Sequence, residues 1–201
     1  FTLVGCIAVP ILHKITAVIT QTIHPRIIFQ VIRDYQIQYL TSVPHIYRLL
    51  LRLKEETANL GSLRAFVSGG TMLTAEQYRE ISEGFGVEVL HGYGLTECTP
   101  VSRNVRGQSR GGTVGPICGK IDCRIAGPRE AQCGEILIRT PYMAEGYLDR
   151  SRETGEVFEG EWFKTGDCGF FQDDHLVFVE EINNTRKING NMVDLEEVRK
   201  A

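Results

Sequence analysis

The chain has 201 residues, with 22 Lys and Arg against 25 Asp and Glu and a formal net charge of -3. That length can bury a hydrophobic core in one or two domains. The near-neutral balance offers no electrostatic footprint for nucleic acid or an acidic membrane surface. The longest apolar run, LVGCIAVPIL, is too short to span a bilayer and contains Pro10. The start lacks the basic region and small-residue cleavage site of a signal peptide. These features predict a cytoplasmic protein with no membrane span and no nucleic-acid partner.

Four β-rich runs come at nearly even spacing: ITAVI from Ile15, YLTSV from Tyr39, LRAFV from Leu63 and VEVLH from Val87. Helical patterns separate them. Pro25 suits a first helical position, followed by an apolar face of Ile27, Ile28, Val31, Ile32 and Tyr35. Pro44 opens a second helix with Ile46, Leu49, Leu50 and Leu53. Thr74 and Gln77 form a capping box for a third, carrying Tyr78, Ile81 and Phe85. Alternating strand and helix with short connections predicts an α/β fold of parallel-sheet βαβ units over residues 1–112. Over 113–180, Gly and Pro punctuate short strands, which predicts a small β-barrel subdomain. Tyr142, Tyr147 and Trp162 are expected to pack inside it. Residues 181–201 are polar, then open a helix at LEEVRK with Asp194 and Glu197 as its capping box. They predict a hinge and the start of a C-terminal domain. The chain opens on Phe1 and stops inside that helix, so both ends are expected to be cuts in a longer protein.

The six cysteines contain no C-x-x-C pair and no neighbouring His at metal-ligand spacing, so neither zinc nor a disulfide framework is predicted. Reduced thiols are expected, with Cys98 as a packed small side chain. His13, His24, His45 and His175 are scattered and expected in surface or capping roles, while His91 ends a strand and borders a candidate pocket.

Chemistry concentrates in HGYGLTECTP, His91 to Pro100. In open α/β sheets ligands bind beyond the carboxyl ends of the strands, and this loop follows VEVLH directly. Gly92 and Gly94 permit close backbone approach to a ligand. Tyr93 offers a flat face for a base, Thr96 a hydroxyl for a phosphate oxygen, and Glu97 a hard oxygen ligand suited to Mg2+; the alternative is a tight turn with solvated Thr and Glu. A second loop, Ser68 to Thr71, leaves the neighbouring strand. A third element is the turn in WFKTGD, where Asp167 could accept hydrogen bonds from both hydroxyls of a ribose; taken alone it reads as an ordinary T-G-D β-turn. Neither a G-x-x-x-x-G-K-[ST] loop nor a G-x-G-x-x-G fingerprint is present.

YGLTE, GEILIRTPYMAEGYLDR and EWFKTGD, in this order and spacing, resemble the adenylate-forming enzymes: acyl-CoA synthetases, firefly-type luciferases and peptide-synthetase adenylation domains. TSVPHIYRLLL and FVSGGTMLT also look like that family's segments. Leu95 stands where peptide-synthetase domains usually have Pro, so the run is closer to the acyl- or aryl-CoA ligase branch. The resemblance implies that Tyr93 stacks on adenine and Gly92 and Gly94 shape its loop. Thr96 would contact the α-phosphate, Glu97 would hold Mg2+, and Asp167 would bind the ribose. Gly69, Gly70 and Thr71 would line the acyl and adenine edge. The implied reaction joins a small carboxylic acid to ATP as an acyl-adenylate, then passes the acyl group to the thiol of CoA or a carrier protein.

This sequence departs from the family at the hinge. Lys187 and Gly190 fit, but Glu180 and Glu181 stand where Gly-Arg is usual, and Asn183 stands at the hinge position. A carboxylate cannot replace an arginine's fork of donors, so Arg186 or Lys187 would have to compensate. The family's two phosphate-contacting lysines match no position here, so the chain alone is expected to be inactive. Two other functions stay open: a catalytically silent nucleotide-binding or interaction module, and an adenylation domain that loads a carrier protein.

Overall fold

The structure is a computed structural model and describes residues 2–54, 60–127, 133–182, 185–188 and 191–194. The chain divides into two compact units, residues 1–118 and 119–201.

The first unit begins with a π-helical segment, Thr2–Ala8, that runs into a short helix α1 (Val9–His13). Then follow α2 (Pro25–Asp34), β1 (Tyr39–Ser42), α3 (Pro44–Arg52), β2 (Ala65–Ser68), α4 (Ala75–Phe85), β3 (Glu88–Tyr93), β4 (Ser102–Arg103) and β5 (Gly115–Pro116). β1, β2 and β3 pair in parallel, and β4 closes the order β1-β2-β3-β4 antiparallel to β3. The predicted βαβ units are therefore present. Three predicted starts hold for the expected reasons. Pro25 and Pro44 occupy first-turn positions, where a missing N–H costs nothing. The Thr74 hydroxyl accepts from the Gln77 amide while the Gln77 side chain accepts from the Thr74 amide, both at 3.2 Å.

The strand expected at Ile15 does not form. Residues 15–20 join no ladder, and Ile15 and Ile19 are 59% and 73% exposed. β-branched composition favours a pleated, half-buried surface, and it makes no strand where no neighbour pairs with it. The face of α2 also differs from expectation. Ile28, Phe29 and Ile32 are buried, whereas Ile27 and Tyr35 are exposed. The helix is rotated so that Phe29 enters the core. There Ile28, Phe29 and Ile32 meet Ile46, Tyr47 and Leu50 of α3, Ile81 of α4, Phe66 of β2 and Val89 of β3. Tyr47 stacks on Phe66 at 4.5 Å between centroids, and Phe85 meets Phe66 edge-on at 4.9 Å.

The second unit contains β6 (Asp122–Ala126), β7 (Gly134–Arg139), α5 (Ser151–Val157), β8 (Phe158–Glu159), β9 (Trp162–Gln172) and β10 (His175–Glu181). A hairpin of β11 (Thr185–Ile188) and β12 (Asn191–Asp194) follows. β10, β9, β7 and β6 lie side by side and antiparallel, with β8 paired to β9. The predicted barrel is corrected to an open sheet. β6 and β10 do not pair with each other, and so few long strands cannot tilt and close round an interior. The expected packing of Tyr142 and Tyr147 is absent, since they are 65% and 37% exposed. Trp162 is half-buried rather than core, with the guanidinium groups of Arg124 and Arg139 at 4.3 and 5.0 Å from its ring centroid. His175 is also corrected: it is buried, and Nδ1 lies 2.7 Å from the Asp174 carboxylate. The helix expected at LEEVRK lies outside the described residues.

Tyr47 ties helix to sheet. Its hydroxyl shares its proton between the carbonyls of Leu40 on β1 and Val67 on β2, at 3.1 and 2.7 Å. Tyr47→Phe keeps the stacked ring and removes only this link. It should lower unfolding free energy by about 1–2 kcal/mol in urea titration, with an unchanged denaturant slope.

Candidate functional site

Parallel register positions the first group of candidate residues. Ser68 on β2 pairs with His91 on β3, so the chain leaves both strands at one edge of the sheet. Gly69, Gly70 and Thr71 emerge beside the end of β3, whose Gly92 and Tyr93 pair with β4 before the chain turns at Gly94. Gly70 has φ +79°, and the space where its side chain would stand is open. Only glycine adopts that conformation without strain and leaves the approach clear. Gly92 and Gly94 use their missing side chains differently. A Cβ at Gly92 would press on the Ser102 carbonyl and Arg103 of β4, and one at Gly94 would collide with Thr99. Their room is taken by this chain's own backbone and side chains, which folds the loop tightly. The Val101 amide donates to the Tyr93 carbonyl and the Leu95 amide to the Cys98 carbonyl, both at 2.9 Å. On the loop so formed, Tyr93 and Glu97 are half-buried and Thr96 is exposed. Cys98 is buried, and burial followed by the neighbouring Cys118 pushes its thiol pKa above the ordinary value. That leaves it protonated and packed rather than nucleophilic.

Asn104, which the sequence did not single out, braces this edge. Its side-chain amide donates to the carbonyls of His91 and Thr113 at 3.1 and 2.9 Å, and its Oδ1 accepts from the Arg110 amide at 3.0 Å. Its own backbone amide also donates to the His91 carbonyl, at 2.9 Å. Gly115 packs directly on the backbone between Arg103 and Asn104, at φ +87°, where any side chain would overlap. Below the loops, Ser68 and His91 are 1% and 5% exposed. Ser68 Oγ and His91 Nδ1 have no hydrogen-bond partner. Burial lowers the His91 pKa to about 4, opposed by a hydrogen bond involving the Ser68 backbone. The imidazole is therefore neutral at pH 7. Strand alternation from Phe66 places Ser68 on the helix-covered face, which was the available signal for its burial.

In the second unit, Asp167 lies on a bulge within β9 rather than in a free turn. Glu135 pairs with Cys168 and Leu137 with Lys164, so Thr165, Gly166 and Asp167 together oppose Ile136. Gly166 has φ +69°. The Thr165 hydroxyl donates to the Ile136 carbonyl at 2.8 Å and accepts from the Asp167 amide at 3.1 Å. The Gly166 amide donates to the Glu135 carboxylate at 3.1 Å, and its carbonyl accepts from the Ile182 amide at 2.6 Å. Asp167 is 6% exposed, and its cross-strand partner on β10 is Glu181. Direct cross-strand partners share a face, so two carboxylates stand together there. The expectation of reduced thiols is corrected at the same place. Cys133 and Cys168 form a disulfide, with Cα atoms 5.9 Å apart across 35 residues of sequence. The β7–β9 register brings them together, which spacing along the chain could not reveal.

Among the described residues no three His, Cys, Asp or Glu side chains cluster as a metal-ligand set, and no helix is long and apolar enough to cross a membrane.

Residues 1–148 match the family of AMP-binding enzymes. The chain belongs to this family. CoA ligases are among its curated relatives. It is 31% identical over 178 residues to 4-coumarate–CoA ligase-like 4 of Oryza sativa subsp. japonica, covering 81% of this chain and 31% of that protein. It is 27% identical over 184 residues to indoleacetate–CoA ligase of Aromatoleum aromaticum, covering 85% of this chain and 36% of that protein. The crystal structure of ATP-bound MatB from Rhodopseudomonas palustris superposes with a TM-score of 0.81 at 26% identity, over 100% of this chain and 42% of that one. The chain thus spans about a third of the length of these curated ligases. The AMP-binding family match ends before β8, so Asp167 lies beyond it.

The buried neutral His91 predicts a pH signature. Its folded pKa of about 4 lies below the ordinary 6.5, so the unfolded chain binds the extra proton first as pH falls. Its contribution to stability is complete above about pH 6.5 and is lost towards pH 4, on the order of 3 kcal/mol at the lower end. His91→Asn should flatten that part of the stability–pH curve relative to wild type, as measured by chemical denaturation from pH 7.5 to 4.

Proposed function

We propose that this chain is the nucleotide-facing part of an ATP-dependent, AMP-forming carboxylate–CoA ligase. The observation that carries the reading is the shared sheet edge. Parallel pairing of Ser68 with His91 sets the SGGT and YGLTE loops side by side beyond the carboxyl ends of the strands. CoA-ligase relatives and the ATP-bound MatB neighbour support the same choice.

On this reading a small carboxylic acid attacks the α-phosphate of ATP, releasing pyrophosphate and leaving an acyl-adenylate. The thiol of CoA then takes the acyl group. Tyr93 stacks on the adenine, Thr96 donates to an α-phosphate oxygen, and Gly69, Gly70 and Thr71 border the adenine and acyl group. Asp167 accepts from the ribose hydroxyls. Glu97, half-buried on the loop, would offer one carboxylate to a Mg2+ ion whose other ligands are phosphate oxygens and water, the arrangement a hard octahedral cation adopts beside a nucleotide. That ion would neutralise charge on the leaving pyrophosphate. The chain's own part is mostly placement: the tight Gly92–Val101 loop fixes the hydroxyl and carboxylate before the substrate arrives. The setting we propose is the cytoplasm.

A second reading is a silent nucleotide-binding module, favoured by Glu181 opposite Asp167, where the family resemblance implies arginine. A third is an adenylation domain serving a carrier protein, against which Leu95 counts. The full-length protein with ATP, Mg2+, a panel of carboxylic acids and either CoA or a carrier-protein thiol separates the three. Pyrophosphate release with CoA-thioester formation supports the ligase. Nucleotide binding without pyrophosphate supports the silent module. The 201-residue chain alone should release no pyrophosphate, and turnover near 1 per second or faster would show the catalytic groups to be misplaced.

Two substitutions test the ribose role. Asp167→Ala should weaken AMP binding by about 1.5–3 kcal/mol per charged hydrogen bond lost, as read by calorimetry. Glu181→Arg removes the facing like charge and supplies donors, so AMP should bind more tightly. Equal binding of a 2′,3′-dideoxy nucleotide and of AMP by the wild type would refute the assignment of Asp167.

A further inference from the structure

Three observations meet at one place in the second unit. The bulge that carries Asp167 sits on β9 where three residues oppose one. Beyond its ladder pairing with β10, hydrogen bonds hold it to its neighbours through the Thr165 hydroxyl, the Glu135 carboxylate and the Gly166 carbonyl. The residue next to Asp167 is Cys168, joined to Cys133 just before β7. The covalent link therefore ties β9 to the chain just before β7 immediately beside the bulge, at the point where the β7–β9 register resumes. Cys6, Cys98, Cys118 and Cys123 are free, so the one linked pair among the described residues falls beside the candidate ribose carboxylate.

We propose that Cys133 and Cys168 form a reversible dithiol–disulfide switch that clamps the bulge bearing Asp167. In the oxidised state the backbone around Gly166 is pinned to β7. Once reduced, the bulge keeps only its hydrogen bonds and opens more often. The co-reactant is a low-molecular-weight disulfide. The Cys133 sulfur, half-buried and therefore reachable, attacks it as a thiolate, forming a mixed disulfide and releasing one small thiol. The Cys168 thiolate then attacks the Cys133 sulfur and expels the second small thiol. Two protein thiols lose two protons and two electrons, and the small disulfide gains both. Under a thiol-rich, reducing poise the pair stands open, and under oxidising stress it closes. The effect on nucleotide affinity rests on the ribose role of Asp167 proposed above, whereas the clamp itself does not.

The test uses the 201-residue chain equilibrated with oxidised glutathione or with dithiothreitol. Oxidation should yield a Cys133–Cys168 linked peptide on mass mapping and leave four titratable thiols of six. A different pairing, or six free thiols after oxidation, overturns the switch. Amide exchange over residues 164–169 should be at least about 10-fold slower in the oxidised chain, while peptides from β2 and β3 exchange alike in both. Cys133→Ser should exchange at the fast rate with either reagent, which separates loss of the link from any other action of the reductant. Equal exchange in the two states of the wild type overturns the clamp. AMP should bind at least about fivefold more tightly to the oxidised chain, since a bulge held in the binding geometry has less to order on binding. Equal AMP affinity with unequal exchange overturns the coupling. Absence of AMP binding in both states overturns the nucleotide reading of Asp167, with the exchange result then deciding the clamp on its own.

Discussion

The in-register parallel pairing of β1, β2 and β3 is the constraint on which the first unit depends. It aligns Ser42, Ser68 and His91 in a row across the sheet. Because each side chain two residues back points the same way, Phe66 and Val89 lie beneath that row and meet the helices. One row later β1 and β2 give way to loops, while β3 runs two residues further against β4 before the chain turns. A slip of one residue would turn Phe66 and Val89 out of the core and Val67 and Leu90 into it. The same register that fills the core thus decides which residues stand at the edge. Tyr47 reinforces it by bonding to both β1 and β2 from the helix between them.

In the second unit the corresponding device is an interruption of register. Antiparallel β7 and β9 keep step until Glu135, lose it at Ile136, and recover at Leu137. The lost step lets Gly166 take a positive φ and holds Asp167 buried at a place where a regular strand would have continued. Both units use the same principle from opposite sides. Regular ladders fix the frame, and the candidate site residues sit near where the ladder ends or skips. The backbone groups freed there are satisfied locally, by Asn104 in one unit and by Thr165 and Glu135 in the other.

Much of this was legible in the sequence because it depends on local physics. Proline at a first helical turn, a Thr–Gln capping box and alternating apolar strands act within a few residues of themselves, and β1, β2, β3, α3 and α4 stand where those signals placed them. The Gly-rich turn after β3 was legible for the same reason, although the structure gives Gly92 and Gly94 to this chain's own packing against Ser102, Arg103 and Thr99. The failures all required knowledge of distant partners. Ile15 and Ile19 have strand-forming side chains but no ladder. The face of α2 was set by what Phe29 could reach. The closed barrel was inferred from turn spacing, which does not encode whether the end strands meet. Asn104 carries no mark of burial, and the Cys133–Cys168 link spans 35 residues that only the sheet brings together.

The chain has a single tryptophan, Trp162, on the same strand as the bulge, with two guanidinium groups over its ring. Arg139 is held in place there by Asp122 and Glu161. Positive charge at fixed distance from an indole alters the energy of its excited state, whose dipole differs from that of the ground state. The emission colour of Trp162 is therefore tied to the position of Arg124 on β6 and Arg139 on β7. Any displacement of β9 against those strands changes that field, so the protein carries its own optical gauge of strand alignment, readable without a label.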